Sequence, residues 1–143
     1  MKFAKIKPVK SPQRAHPHDA GIDFFVPENF ITTHIPPKGH VVIESGIKLK
    51  IPTGYALIFF NKSGVAVNSQ LAVGACVVDE TYQGELHLHL YNTGHHITLV
   101  SPNQKIAQGI LIKMFYDEVE EVSEDMLFSN KTKRGEGRFG STD

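Results

Sequence analysis

The sequence predicts an all-β domain, a jelly-roll-like β-sandwich or barrel. Three observations carry that reading. The apolar runs are strand-length and rich in Ile, Val and Phe. Pro or Gly stands near almost every boundary between them. One run, "IKLKI" (47 to 51), alternates apolar and charged residues as a strand with one wet face should.

The elements follow in order. "GIDFFVP", "NFITTHIPPKG", "HVVIESG", "IKLKIPTG" and "YALIFFNKSG" each give one strand. "LAVGACVV" (71 to 78), "ELHLHLYN" (85 to 92) and "ITLV" (97 to 100) continue the series. "KIAQGILIKMFYD" is long enough for a helix, but its Ile-rich middle and Gly109 favour a long buried strand. Helical character is confined to the acidic stretch "DEVEEVSEDML" (117 to 127). Residues 123 to 133 are polar and lack apolar period, so the chain divides into a β domain, 1 to 122, and a tether with a glycine-rich flexible arm, 123 to 143. A small β domain with open edges and a long tail predicts oligomerisation, because a neighbour can cover an edge and hold the tail.

The chain has 143 residues, 41% of them hydrophobic, which suits one packed domain. Fifteen basic and fifteen acidic residues cancel to zero net charge, a poor basis for nucleic-acid binding. The single cysteine, Cys76, excludes a disulfide within the chain and sits in an apolar run. Neither a signal-peptide pattern nor a membrane-length apolar run is present, so a soluble, cytoplasmic protein is expected.

Candidate chemistry gathers in the middle of the chain. "VGACVVDETYQGELHLHLYN" (73 to 92) reads as a β-hairpin with a polar tip, where Asp79 marks the strand end and Tyr82 and Gly84 follow. Asp79 serves either as a turn former or as a site carboxylate. Asp23 lies in an apolar context, Lys62, Ser63 and Gly64 stand together after a strand, and Gln108 sits beside apolar residues. The end of the chain, "RGEGRFGSTD", contains G-x-G-x-x-G, yet only three residues follow Gly140 and no helix can open there. Its guanidinium groups, hydroxyls and free backbone N–H groups suit an anion; the alternative is a frayed end. Together these clusters offer what hydrolysis of a nucleoside triphosphate requires: cations and N–H groups for phosphates, a carboxylate to orient water, and an aromatic face.

In order along the chain, "AGIDFFV", "NKSGVA", "VGACVVDETYQGEL", "NQKIAQGIL" and "RGEGRFGSTD" resemble the five motifs of the trimeric all-β dUTPase family. The resemblance implies that dUTP is cleaved to dUMP and pyrophosphate, limiting uracil in DNA and supplying dUMP. It makes Asp79 the carboxylate that activates water for attack on the α-phosphorus. It places Tyr82 against the deoxyribose, where its ring excludes a 2′-hydroxyl. Uracil is read by the backbone around Val73, Cys76, Val77 and Val78 and near His87. Lys62, Ser63, Gly64 and Gln108 bind phosphates. In the arm, Arg134 reaches the γ-phosphate, Phe139 covers the uracil, and Gly140, Ser141 and Thr142 hold phosphate oxygens. Mg²⁺ is implied as cofactor, held mainly by the substrate phosphates with Asp23 touching its water shell. A homotrimer with active sites at subunit interfaces is the implied assembly.

The chain departs from the family pattern in several places. Lys62 stands for an arginine, which loses the bidentate fork. Asn61 replaces a proline, Cys76 a glycine, and Asn103, Gln104 and Lys105 a Gly-Asp-Arg. Arg138 and Asp143 replace glycines of the arm; Arg138 either adds a phosphate contact or stiffens the segment. The eight histidines complete no zinc signature, although His87 and His89 share a strand face and His95 and His96 are adjacent; surface or subunit-interface positions are expected for them. Two other functions compete. A dCTP deaminase of the same fold would need a catalytic glutamate, for which Glu80 and Glu85 are the nearby candidates. A non-catalytic nucleotide-binding signalling module would bind dUTP without releasing pyrophosphate.

Overall fold

The computed structural model describes residues 1–128, 130 and 132–138. Among the described residues, eleven strands run in order: β1 (Lys2–Lys5), β2 (Ile22–Phe25), β3 (Thr33–Ile35), β4 (His40–Glu44), β5 (Ile47–Lys50), β6 (Tyr55–Asn61), β7 (Leu71–Val73), β8 (Val77–Val78), β9 (His87–Asn92), β10 (Thr98–Val100) and β11 (Lys105–Lys113). The described residues also form two short helices, α1 (Ser63–Asn68) between β6 and β7 and α2 (Glu124–Leu127) after β11. The all-β expectation therefore holds. Among the described residues no helix is long and apolar enough to cross a membrane.

Two sheets enclose the core. One has the order β2-β11-β6-β8 and the other β4-β9-β7; the pairs β1-β5 and β10-β3 complete the fold. Alternation explains the packing. On β9, Leu88, Leu90 and Asn92 point inward and His87, His89 and Tyr91 outward. Opposite them on β4, Ile43 pairs with Leu88 and Val41 with Leu90. Phe24, Leu57, Phe59 and Ile106 of the first sheet share one core with Ile43, Leu71, Leu88 and Leu90 of the second. Phe24 and Phe59 meet edge-on with centroids 4.9 Å apart.

Gly109 of β11 marks a close approach: a Cβ there would lie 2.9 Å from Leu57 and 3.1 Å from Phe24. The long strand expected over this stretch is present.

Three local expectations need correction. "LAVGACVV" is two strands. β7 pairs with β9, whereas β8 crosses to the other sheet and pairs Val77 with Ile58 and Val78 with Leu57 on β6. The hairpin from 73 to 92 is thus closed by β7 and β9, with β8 diverted from it. The acidic stretch 117 to 127 is helical only at Glu124–Leu127. Helical character is not confined to that stretch: "SGVAVN" forms α1 despite its Gly and two Val, which are weak helix formers.

Candidate active site

Two polar clusters form, at opposite ends of β6. The first is a cleft of about 200 Å³ lined by Phe59, Ala75, Cys76, Val77, Val78, Asp79, Tyr82, Leu86 and His87. Six of the residues expected in the site meet here: Cys76, Val77, Val78, Asp79, Tyr82 and His87. The crossing of β8 to β6 shapes one wall. Phe59 N–H donates to the Cys76 carbonyl at 2.8 Å, which binds the chain to β6 just before β8 begins. Asp79 follows at the exposed end of β8. Its carbonyl accepts the Tyr82 N–H at 3.1 Å in a turn. The turn role and the site placement are therefore compatible, because the turn uses the backbone and leaves the carboxylate outward. The Tyr82 hydroxyl donates to the Glu85 carbonyl at 2.9 Å, pinning the ring. Gly84 makes room for it: a Cβ there would lie 2.3 Å from the hydroxyl oxygen.

Phe59 and Leu86 line this cleft and were not recognised as site residues in the sequence. Both are buried apolar residues, and no local signal separates them from the rest of the core. Val73 lies in β7, outside the cleft lining, and donates its N–H to the Asn61 side chain at 2.7 Å.

The second cluster centres on Asp23, whose carboxylate is almost fully buried. Lys62 Nζ is 2.5 Å from its Oδ1 and Lys105 Nζ 2.7 Å from its Oδ2. Oδ2 receives no aligned hydrogen bond, yet an ammonium at that distance satisfies it electrostatically. Burial pushes the Asp23 pKa up, but the ammonium groups of Lys105 and Lys62 outweigh it and hold the carboxyl below its ordinary range. A β-bulge builds the cluster. Gln108 pairs with Asp23 and Lys105 with Phe25, with a register shift between Lys105 and Ala107. Residues three apart on a regular strand face opposite ways; the extra residue turns Lys105 and Gln108 to one face, that of Asp23. Gln108 Nε2 donates to the Asn61 carbonyl at 2.9 Å. Ser63 and Gly64 are exposed in the first turn of α1.

Arg134 Nε lies 3.4 Å from the Gly137 carbonyl, within its own turn. Phe139, Gly140, Ser141 and Thr142 lie outside the described residues. Among the described residues no group of three or more His, Cys, Asp or Glu could hold a metal ion.

Comparison with known proteins now gives these clusters a context. The dUTPase family model matches residues 7–143. The mitochondrial deoxyuridine 5'-triphosphate nucleotidohydrolase of Homo sapiens is 33% identical over 143 residues, covering 99% of this chain. The chain spans 54% of that relative's length. The deoxyuridine 5'-triphosphate nucleotidohydrolase of Yarrowia lipolytica is 34% identical over 133 residues, 93% of this chain and 82% of that protein. In fold, the chain matches the dUTPase of Staphylococcus bacteriophage 80alpha with dUPNHPP at a TM-score of 0.83 and 23% identity, covering 99% of this chain and 97% of that one. The dUTPase from phage phi11 of S. aureus matches at 0.78 and 21% identity, over 89% and 98% of the two chains. With the family model matched from residue 7 to residue 143, and the Yarrowia relative covered over most of its length, the chain belongs to the dUTPase family.

Proposed function

We infer that this chain hydrolyses dUTP to dUMP and pyrophosphate. The observation that carries the reading is the cleft that joins Asp79, the pinned Tyr82 ring and the main chain of residues 75 to 78. Asp79 is exposed at the rim, with its carboxylate free to orient a water. In this reading the water oxygen bonds to the α-phosphorus and gives its proton to Asp79. The bond from the α-phosphorus to the bridging oxygen breaks, and pyrophosphate leaves with that electron pair. Tyr82 stacks on the deoxyribose, and its fixed ring leaves no space for a 2′-hydroxyl. Such an activity would limit uracil in DNA and supply dUMP, and a cytoplasmic setting suits a free nucleotide substrate.

Phosphate binding falls to the second cluster: Lys62, Ser63, Gly64 and Gln108, with Lys105 beside them. Val78 lies opposite Leu57, so Asp79 and Lys62 are separated by most of β6, roughly 20 Å along the strand. With Asp79 at the α-phosphorus, the two outer phosphates do not bridge that gap within one chain. This supports a homotrimer whose sites combine the Asp79 cleft of one subunit with the Lys62 cluster of another. The arm, 123 to 143, then closes over the nucleotide through Arg134, Phe139, Gly140, Ser141 and Thr142.

Asp23 alone, already neutralised by two lysines, fits contact with a hydrated ion that arrives with the nucleotide better than a cage. Bound Mg²⁺ would neutralise charge on the phosphates. A dUTPase from phage phi11 of S. aureus, similar in fold at a TM-score of 0.77, is described with a structural Mg(II) ion. The deaminase reading loses support, because both nearby glutamates are engaged. Glu80 accepts the Gly54 N–H at 2.5 Å, while Glu85 accepts the Gly46 N–H at 2.7 Å and pairs with Lys7 at 3.0 Å.

Pyrophosphate release with Mg²⁺, compared across dUTP, dTTP, dCTP and UTP, tests the reading. Release is expected from dUTP alone. Asp79→Asn should lower turnover by about 10³-fold or more with unchanged circular dichroism. Release from no nucleotide would favour the binding-module reading, and full activity in the variant would remove Asp79 from the mechanism.

A further inference from the structure

The outer face of the sheet β4-β9-β7 carries rings that the reaction does not use. His40 stands opposite Tyr91, Val42 opposite His89 and Glu44 opposite His87. His40 Nδ1 and His89 Nε2 are 3.0 Å apart. Tyr91 packs against both imidazoles, with centroids at 5.6 and 4.5 Å. The second nitrogen of His89, Nδ1, accepts the backbone N–H of Ala75 at 3.2 Å. A backbone N–H can only donate, so Nδ1 carries the lone pair and Nε2 the proton, which it donates to His40 Nδ1. This tautomer follows from the partners of the ring.

The contact bears on the cleft. Ala75 lines it, directly before the Cys76 carbonyl that binds β6. Gly74 N–H donates to the His89 carbonyl at 2.8 Å, so Gly74 and Ala75 are both held by one residue of β9. Gly74 also lets the imidazole approach: a Cβ there would lie 2.5 Å from His89 Nδ1 and 2.6 Å from Tyr91.

We propose that His89 is a positioning residue for the cleft wall: its neutral imidazole, oriented by His40, holds Ala75 in place, and a second proton on His89 releases the wall and weakens binding of a uracil nucleoside. The proposal rests on the dUTP reading. Protonated Nδ1 becomes a donor facing the donor of Ala75, and the hydrogen bond is lost. Burial, then the neighbouring His40, holds the His89 pKa below its ordinary 6.5. The imidazole is therefore neutral at pH 7. Protonation of a released His89 begins near 6.5, and the hold is lost as pH falls on through the depressed value. The titratable groups around it are His40 on β4, His87 and Tyr91 on β9, and Glu44 across from His87. On the β7 side, Leu71 to Ala75 bring none, and Cys76 follows.

Deoxyuridine is the probe, because it carries no group that titrates between pH 5 and 8. Its affinity, the imidazole ¹⁵N shifts and the Ala75 amide shift are read by NMR from about pH 8 to about pH 5. The expected result is a His89 imidazole protonated at Nε2 at pH 8, with the Ala75 amide titrating alongside it. Deoxyuridine should bind about fivefold more weakly at the acid end, the size of one hydrogen bond. His89→Asn offers an amide oxygen to Ala75 but does not titrate, so the pH dependence should flatten. In His87→Asn it should persist, which separates the histidine that lines the cleft. Binding at pH 8 with no acid weakening, or equal weakening in His89→Asn, overturns the proposal alone. Absence of binding at pH 8 overturns the uracil reading, and the proposal falls with it.

Discussion

Replacing Asp23 by Asn tests how much the buried ion pair contributes to the fold. Asp23 is 2% exposed and its carboxylate pairs with two lysines. The amide keeps its shape and the backbone bridge to Gln13, but removes the negative charge. Deleting one partner of a buried pair costs about 3–5 kcal/mol, mostly for the charge left behind. Here the charges left behind are lysines with side chains 25% and 39% exposed, which can turn to water. The expected loss is therefore discounted to about 2 kcal/mol at pH 7. Because the pKa of Asp23 is lowered in the folded chain, the unfolded chain takes up the proton first as pH falls. The stabilisation is complete above the ordinary carboxyl value of 3.8 and is lost as pH falls through the lower folded value. Urea unfolding of both proteins, from pH 7 down to about pH 3 at fixed protein concentration, reads this directly. The gap should be widest at pH 7 and should narrow below 3.8. A gap under about 0.5 kcal/mol at pH 7, or one that ignores pH, refutes the reasoning.

Gly84→Ala should displace the Tyr82 ring by roughly 1 Å and break its bond to the Glu85 carbonyl, costing about 1 kcal/mol. The ratio of kcat/KM for dUTP over UTP should then fall about tenfold, and an unchanged ratio would remove Tyr82 from sugar selection. Chains carrying Lys62→Ala and chains carrying Asp79→Asn should each be weak alone. Refolded together, they should recover toward about one quarter of the wild-type rate, since random pairing joins intact halves that often. No recovery would place both clusters in one subunit's site.

The strands were legible where a local pattern decides them. Alternation in "IKLKI" and the Gly within "KIAQGIL" were enough for β5 and β11. β1 was missed because its four residues are exposed and held mainly by pairing with β5. The split of 71 to 78 was not readable, since the partner of β8 lies on a strand twenty residues earlier. The same contrast runs through the site. Six of the cleft residues were legible because they fall close together, from 76 to 87, whereas Phe59 and Leu86 carry no local signal. The union of Asp23, Lys62 and Lys105 was not, because it depends on strand order and on a bulge that no single segment encodes. Lys105 stood out in the sequence only as a departure from the family pattern; the bulge gives it a partner.

The crossing of β8 has one more consequence. Between β7, bound to β9, and β8, bound to β6, lie only Gly74, Ala75 and Cys76. Those three residues splice one sheet to the other, and the last two of them also form cleft wall. The same backbone bonds thus serve cohesion and recognition, so neither can drift without the other. The exposed Ala75 side chain can change size while its peptide group stays in place, whereas at residue 74 any side chain would collide with the rings behind it.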